Sequence, residues 1–249
     1  QATGGREVIA ASCAQASSRG VRAGMVLADA RALLVGAEVL VRPARPQRDR
    51  AALRALACWA LRFSPVVAPD GGPDGGPDGR TDAGAHQEQP GADHGLLLDA
   101  SGLAHLHGSE PDLLEHVLRA VRALGVSCRG AIAGTPGCAW ACARYGRGAV
   151  VPPGREREAL APQPVEALRI DASAAASLRE VGVERVGELL RLPRAAIAAR
   201  FGAGVLLRID QALGQAFEPL QGVTPEPPTR ASIDFDGPTT SWEALHEAT

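Results

Sequence analysis

Apolar residues recur along the chain in short runs and in longer stretches at helical spacing, and the breaks between them fall at Gly and Pro. The run Val8-Ile9-Ala10-Ala11 predicts a strand over 7–12, leading into a Ser-rich turn. Leu27, Ala30 and Leu34 predict a helix over 26–34. Val39-Leu40-Val41 predicts a brief strand, stopped by Pro43 and Pro46. Leu53, Leu56, Trp59 and Ala60 give a helix over 48–63 its inward face, and Pro65 ends it. The repeated Pro-Asp-Gly-Gly of 69–91 offers nothing to bury, so a disordered surface insertion is expected there. Leu96 to Leu98 then predicts a buried strand, closed by Asp99 and a Ser101-Gly102 turn in which the Asp99 carboxylate accepts backbone hydrogen bonds.

A polar helix start at Ser109-Glu110-Pro111 leads into an amphipathic helix over 113–124 that ends at Gly125. A strand over 129–133 and a Gly134-Thr135-Pro136-Gly137 turn, capping a helix over 138–145, complete a βαβ-type core. After the linker Val150-Val-Pro-Pro-Gly154 the pattern changes to short helices at 165–169, 172–181, 186–192, 194–201 and 204–213. A stiff Pro-rich linker at 224–228 precedes a last expected strand at 232–235. The fold class is α+β, with a mixed core followed by an all-helical unit.

The length of 249 residues suits one large or several small domains, and 45% hydrophobic residues supply a core. Only 3% are aromatic, so that core is built from Leu, Val, Ala and Ile. A net charge of -2 gives no global nucleic-acid signal, and any such binding has to come from a local patch. All 26 basic residues are Arg, which with the Ala, Gly and Pro enrichment points to coding bias before functional choice. Cys13, Cys58, Cys128, Cys138 and Cys142 form no Cys-x-x-Cys pair and are expected reduced, in a cytoplasmic protein. No apolar run approaches the roughly 18 residues of a membrane span. The start at Gln1-Ala-Thr-Gly-Gly, without Met, predicts a fragment of a longer protein.

Val181-Gly-Val-Glu-Arg-Val-Gly187 has the helix-hairpin-helix pattern. Its glycines would let the backbone approach a phosphate, and the second helix would offer unpaired N–H groups to it. Such contacts position a duplex without reading its sequence. The expected DNA-binding residues are Gly182, Val183, Arg185, Gly187, Arg194 and Arg200, with Arg191 also in reach. A plain αα-hairpin with a Gly turn is the structural alternative.

Five segments, in order, resemble the Y-family (translesion, UmuC/DinB-like) DNA polymerases. They are Gly20 to Leu33, Cys58 to Pro65, Leu96-Leu-Leu-Asp-Ala-Ser-Gly-Leu-Ala-His-Leu106, Ala131 to Arg144, and Leu192-Pro-Arg-Ala with Arg200-Phe-Gly202. Within that family the chain is most similar to the catalytically inactive members carried in bacterial damage-induced mutagenesis cassettes. The resemblance implies fingers over 1–46, a βαβ-type palm over 47–157, a helical thumb over 158–223 and the start of a little finger over 229–249. Active relatives hold two metal ions with carboxylates, and the Asp-Glu pair of that set falls here on His94 and Gly95. Asp93 is one position away, on the opposite strand face. The triphosphate-holding Tyr-x-x-Arg falls on Ala14 and Ser17, and a triphosphate-contacting Lys on Pro136.

These losses together imply a polymerase scaffold without catalytic residues, metal or cofactor, acting as a DNA-binding adaptor in repair and damage-induced (SOS) translesion mutagenesis. The partners it implies are duplex or primer-template DNA, the sliding clamp and an error-prone replicative-type polymerase, in a bacterial cytoplasm and at the nucleoid. An active polymerase that recruits Asp93 and Mg²⁺, and an interaction module without DNA affinity, are the competing readings. A zinc site drawn from His94, Asp99, His105 and His107 is disfavoured by strand parity and the intervening turn. Trp59 and Trp140 are expected in the core, and Gln211 to Phe217 as a buried helix end rather than a clamp-binding peptide.

Overall fold

Prolines and capping side chains decide where the principal helices start. A computed structural model describes residues 2–3, 6–70, 95–146, 148, 150–225, 234, 237–238 and 240–247. Strands β1 (Ala2–Thr3) and β2 (Arg6–Glu7) pair antiparallel, and Val8 bridges Val26, so the expected strand over 7–12 is reduced to its first residues. Helices α1 (Ala14–Ser18) and α2 (Leu27–Leu33) close a small core of Val21, Ala30 and Leu34.

Helix α3 (Pro46–Ala60) starts with Pro46 in its first turn, where a missing N–H costs nothing. It buries Ala57 and Ala60 most deeply, while Leu53, Leu56 and Trp59 are half-buried. The expected strand at 39–41 does not form. Val39, Leu40 and Val41 are exposed, Leu40 by 76%, and none pairs with another strand among the described residues.

Strand β3 (Val67–Pro69) pairs antiparallel with β4 (Leu96–Leu98), Val67 opposite Leu98 and Pro69 opposite Leu96. Pro69 and Asp70 are therefore part of the fold, not of an insertion, and β4 is half-buried, not buried. The remainder of that segment, 71–91, and His94 and Asp93 lie outside the described residues.

Helix α4 (Ala104–His107) follows the Asp99 turn, where the Asp99 carboxylate accepts the Ser101 N–H at 2.9 Å as expected. Helix α5 (Glu110–Ala123) starts on Ser109, whose hydroxyl accepts the Asp112 N–H. The strand expected over 129–133 is a single parallel bridge, Ile132 to Val150. The described strands thus form two antiparallel pairs rather than a βαβ sheet.

Helix α6 (Pro136–Arg144) begins at Thr135, which accepts the Cys138 N–H at 3.1 Å and donates to Ala212 O at 2.9 Å. Helix α7 (Glu156–Leu160) has no counterpart in the sequence reading. A 3-10 turn (Val165–Leu168) precedes α8 (Ala172–Glu180), α9 (Val186–Leu189), α10 (Arg194–Phe201) and α11 (Ala203–Ala212). With α6 these helices enclose the largest core, around Leu160, Val165, Leu178, Val186, Leu189, Ile197 and Ile209. The expected strand at 232–235 falls outside the described residues except Asp234, and α12 (Trp242–Glu247) lies beyond it.

Candidate nucleic-acid interface

Helix α8 ends in a Schellman motif: Gly182 N–H donates to Arg179 O at 2.9 Å and Val183 N–H to Leu178 O at 2.9 Å. Gly182 supplies the positive φ of 79° that this ending requires, and Val183 is buried behind it. The next N–H groups are also taken. Glu184 and Arg185 donate to Glu188 Oε2 at 2.9 and 3.0 Å, Val186 to Gln163 O at 2.9 Å, and Gly187 to Ala161 O at 2.9 Å. The Arg185 and Glu184 N–H groups hold the Glu188 carboxyl below its ordinary value.

This overturns the stated reason for the hairpin's glycines. Gly187 makes a close backbone approach, but to this chain's own Ala161: a Cβ there would lie 2.9 Å from Ala161 O. The unpaired N–H groups expected at the start of α9 are absent among the described residues, because the 161–163 segment accepts from them.

The arginines divide. Arg185 donates to Pro162 O at 2.7 Å, and Arg194 makes a forked ion pair with Asp210 at 2.8 and 2.7 Å. Both arginines are themselves exposed. Arg200 is exposed, with its guanidinium over the Phe201 ring at 5.7 Å, and Arg191 is exposed as well.

Sequence reasoning missed the start of α11. It follows Gly202, at φ 89°, carries no side-chain cap and has no acidic residue in its first turn. A Cβ on Gly204 would meet nothing within 4 Å, so this first turn has open space beside it, one turn from Arg200. The start of α8 differs, since Asp171 caps it by accepting the Ala174 N–H at 2.8 Å. The hydroxyl of Ser173 and that N–H hold the Asp171 carboxyl below its ordinary value. The Gly202-Ala-Gly204 spacing was the available signal.

At the end of β4, the resemblance puts the family's second acid on Gly95, which has no side chain, and His94 lies outside the described residues. The nearest described carboxylate is Asp70, whose N–H donates to Gly95 O at 2.8 Å and whose Oδ2 accepts the Trp140 indole N–H at 2.5 Å. Guanidinium groups of Arg144 and Arg169 lie 5.3 and 5.9 Å from the Trp140 ring centroid. Among the described residues here, the single carboxylate of Asp70, already bonded to Trp140, is too little to hold two metal ions. No group of three metal-ligating side chains occurs among the described residues. His105 is exposed, and the His107 ring lies tilted against His116 at 5.0 Å. Ala14 and Ser17 lie on α1, and Pro136 opens α6.

Two further expectations resolve here. Trp59 and Trp140 are both half-buried, Trp59 stacking edge-on against Phe63 at 5.3 Å. Gln211 is buried in α11, but Phe217 is 86% exposed, so the segment is not a buried helix end throughout.

The shape has close counterparts among solved polymerases. The crystal structure of DinB from Sulfolobus solfataricus matches with a TM-score of 0.60 at 16% identity, over 88% of this chain and 59% of that one. A Dbh ternary complex and an insertion ternary complex of Dbh DNA polymerase each match with a TM-score of 0.58 at 16% identity, over 86% and 83% of this chain and 59% and 56% of theirs. The fold is therefore that of a Y-family polymerase-like protein, helix-rich with a small sheet content.

Protein ImuB from two strains of Caulobacter vibrioides, NA1000 / CB15N and ATCC 19089 / CIP 103742 / CB 15, is 40% identical over 227 residues, 91% of this chain and 44% of each relative. The chain is thus related to protein ImuB over most of its own length, in a fold shared with the Y-family polymerases. It spans less than half the length of those curated relatives. No protein-family model matches the chain. No described helix is long and apolar enough to cross a membrane.

Proposed function

We propose that the chain is part of a non-catalytic, DNA-binding adaptor for damage-induced translesion synthesis. The observation that carries this reading is Gly95, which supplies no carboxylate where the family's acid pair falls, beside an Asp70 already bonded to Trp140. A polymerase fold without metal-holding acids keeps the shape that follows a primer-template and lacks the charge needed to stabilise phosphoryl transfer.

The DNA surface in this proposal runs over the helical unit, through Arg185, Arg194, Arg200 and the uncapped start of α11. Gly182, Val183 and Gly187 support it by seating the hairpin, not by touching phosphate. Duplex binding through phosphates is indifferent to sequence and weakens steeply with salt. The fingers, palm, thumb and little-finger division, the sliding clamp, the error-prone polymerase and nucleoid location belong to this proposal too. The Dbh structures matched above are ternary complexes of a DNA polymerase, which suits a DNA partner here.

The test is fluorescence anisotropy with primer-template DNA at low and moderate salt, run beside a primer-extension assay of the full-length protein with Mg²⁺. Salt-dependent binding without extension is the expected result. Robust Mg²⁺-dependent incorporation overturns the non-catalytic part. The sealed hairpin favours a second reading, an interaction module without DNA affinity, and absence of binding even at low salt would establish it.

A further inference from the structure

Unusual features converge on Arg169, and the DNA surface explains none of them. Among the described residues it is the non-glycine residue with positive φ, 57°, at the end of the 3-10 turn. Its side chain is only 12% exposed, and its Nε is buried without a hydrogen-bond partner. Such conformations persist where the surroundings over-determine them. Gly137 on α6 is confined by the same group: a Cβ there would sit 3.0 Å from Ala212 Cα and 3.3 Å from Arg169 Nη2.

The guanidinium has two neighbours that lead in different directions. Its Nη2 contacts both carboxylate oxygens of Glu218, at 2.6 and 2.7 Å, and Arg208 Nη1 stands 3.7 Å from Glu218 Oε1. Glu218 lies on the segment that leaves α11 and crosses to β3, where Val223 N–H donates to Val67 O at 2.8 Å and Arg54 Nη2 reaches Thr224 O at 3.3 Å. In the other direction the guanidinium lies over Trp140, whose indole N–H is held by Asp70 at the far end of β3. Both ends of one short strand are therefore tied, by separate routes, to one buried side chain.

We propose that Arg169 is the keystone of a closed circuit, Val67–Val223–Glu218–Arg169–Trp140–Asp70, that fixes the β3–β4 pair on the helical unit. The device sets the orientation of the two parts through side chains of the protein itself. An uncompensated buried guanidinium is costly, so Glu218 and the ring of Trp140 hold each other's position through it. This coupling is independent of whether the chain binds DNA.

The experiment is a double-mutant cycle in the full-length protein with the near-isosteric substitutions Asp70→Asn and Glu218→Gln, whose side chains do not touch. Equilibrium unfolding is expected to show non-additive effects, the double variant losing markedly less than the product of the single losses. Additivity within about twofold in the unfolding equilibrium constant overturns the circuit. A second readout is hydrogen exchange at the Trp140 indole N–H, followed by NMR in Glu218→Gln and Arg169→Lys. It is expected to quicken about tenfold in both, whereas an unchanged rate in either assigns Glu218 or Arg169 a local role only and overturns the proposal.

Discussion

Two residues of the helical unit show how one side chain, or its absence, decides a local structure. Asp171 caps α8, accepting the Ala174 N–H and the Ser173 hydroxyl, and its folded-state carboxyl is held below the ordinary value of 3.8. Because the folded value is the lower one, this contribution is fully present above the unfolded value and is lost as pH falls through the folded one. Asp171→Ala is expected to cost about 1 kcal/mol near neutral pH, the usual worth of a cap. The gap between the two proteins should shrink as pH falls below the ordinary carboxylate range, as measured by urea unfolding across pH. A gap that widens on acidification would assign Asp171 the opposite role. At Gly187, substitution by Ala should destabilise by about 1–2 kcal/mol. Overpacking of about 1–3 kcal/mol against Ala161 O exceeds the roughly 1 kcal/mol of helix propensity gained, and it strains the Gly187–Ala161 hydrogen bond. Thermal unfolding decides, and a rise in Tm would mean that the hairpin is not seated on Ala161.

At the scale of elements, what was legible in the sequence follows from how local each determinant is. Helices α3, α5, α6 and α10 declare themselves through Pro or a Ser/Thr cap at one end and apolar spacing along one side, all within a few residues. The Asp99 turn is equally local. Strands at 39–41 and 129–133 failed because apolar runs are only permissive, and a strand exists when a partner lies alongside. Val39 to Val41 have none among the described residues, and only Ile132 finds one. The Gly-x-x-x-x-Gly hairpin was recognised as a hairpin, yet the acceptors of its Val186 and Gly187 N–H groups are Gln163 and Ala161, over twenty residues upstream, which no local motif reports. The start of α11 reverses that case, with Gly202 and Gly204 open and uncapped. Gly204→Asp is therefore expected to act in opposite directions on two measurements. A carboxylate in the first turn stabilises the helix by about 0.3–1 kcal/mol, so Tm should rise. The same charge repels a phosphate, so affinity for primer-template DNA should fall several-fold in anisotropy titrations. Unchanged affinity would remove the α11 start from the DNA surface.

For the whole molecule, the proposed function raises the question of how a chain of net charge -2 would hold a polyanion. Attraction cannot come from the overall charge, so it depends on a few arginines whose own partners are weak or absent. Arg194 is neutralised by Asp210, and Arg185 leans on a backbone carbonyl, whereas Arg200 has no carboxylate partner among the described residues. Their contributions to binding should differ accordingly. Arg200→Ala removes a cation already free to meet a phosphate, so it should lower affinity at every sequence tested and reduce the slope of log K against log salt by about one. Arg194→Ala should do less, because the phosphate must first displace Asp210, and removing the arginine also leaves that carboxylate facing the DNA. Asp210→Ala then provides the converse: freeing Arg194 should strengthen binding and steepen the salt slope, although the substitution removes a well-formed ion pair. Anisotropy titrations of the three variants over a range of salt concentrations measure all of these slopes. Equal slopes in Arg200→Ala and the unsubstituted protein would place the DNA surface elsewhere on the fold, while a steeper slope in Asp210→Ala would locate it on the face shared by α10 and α11.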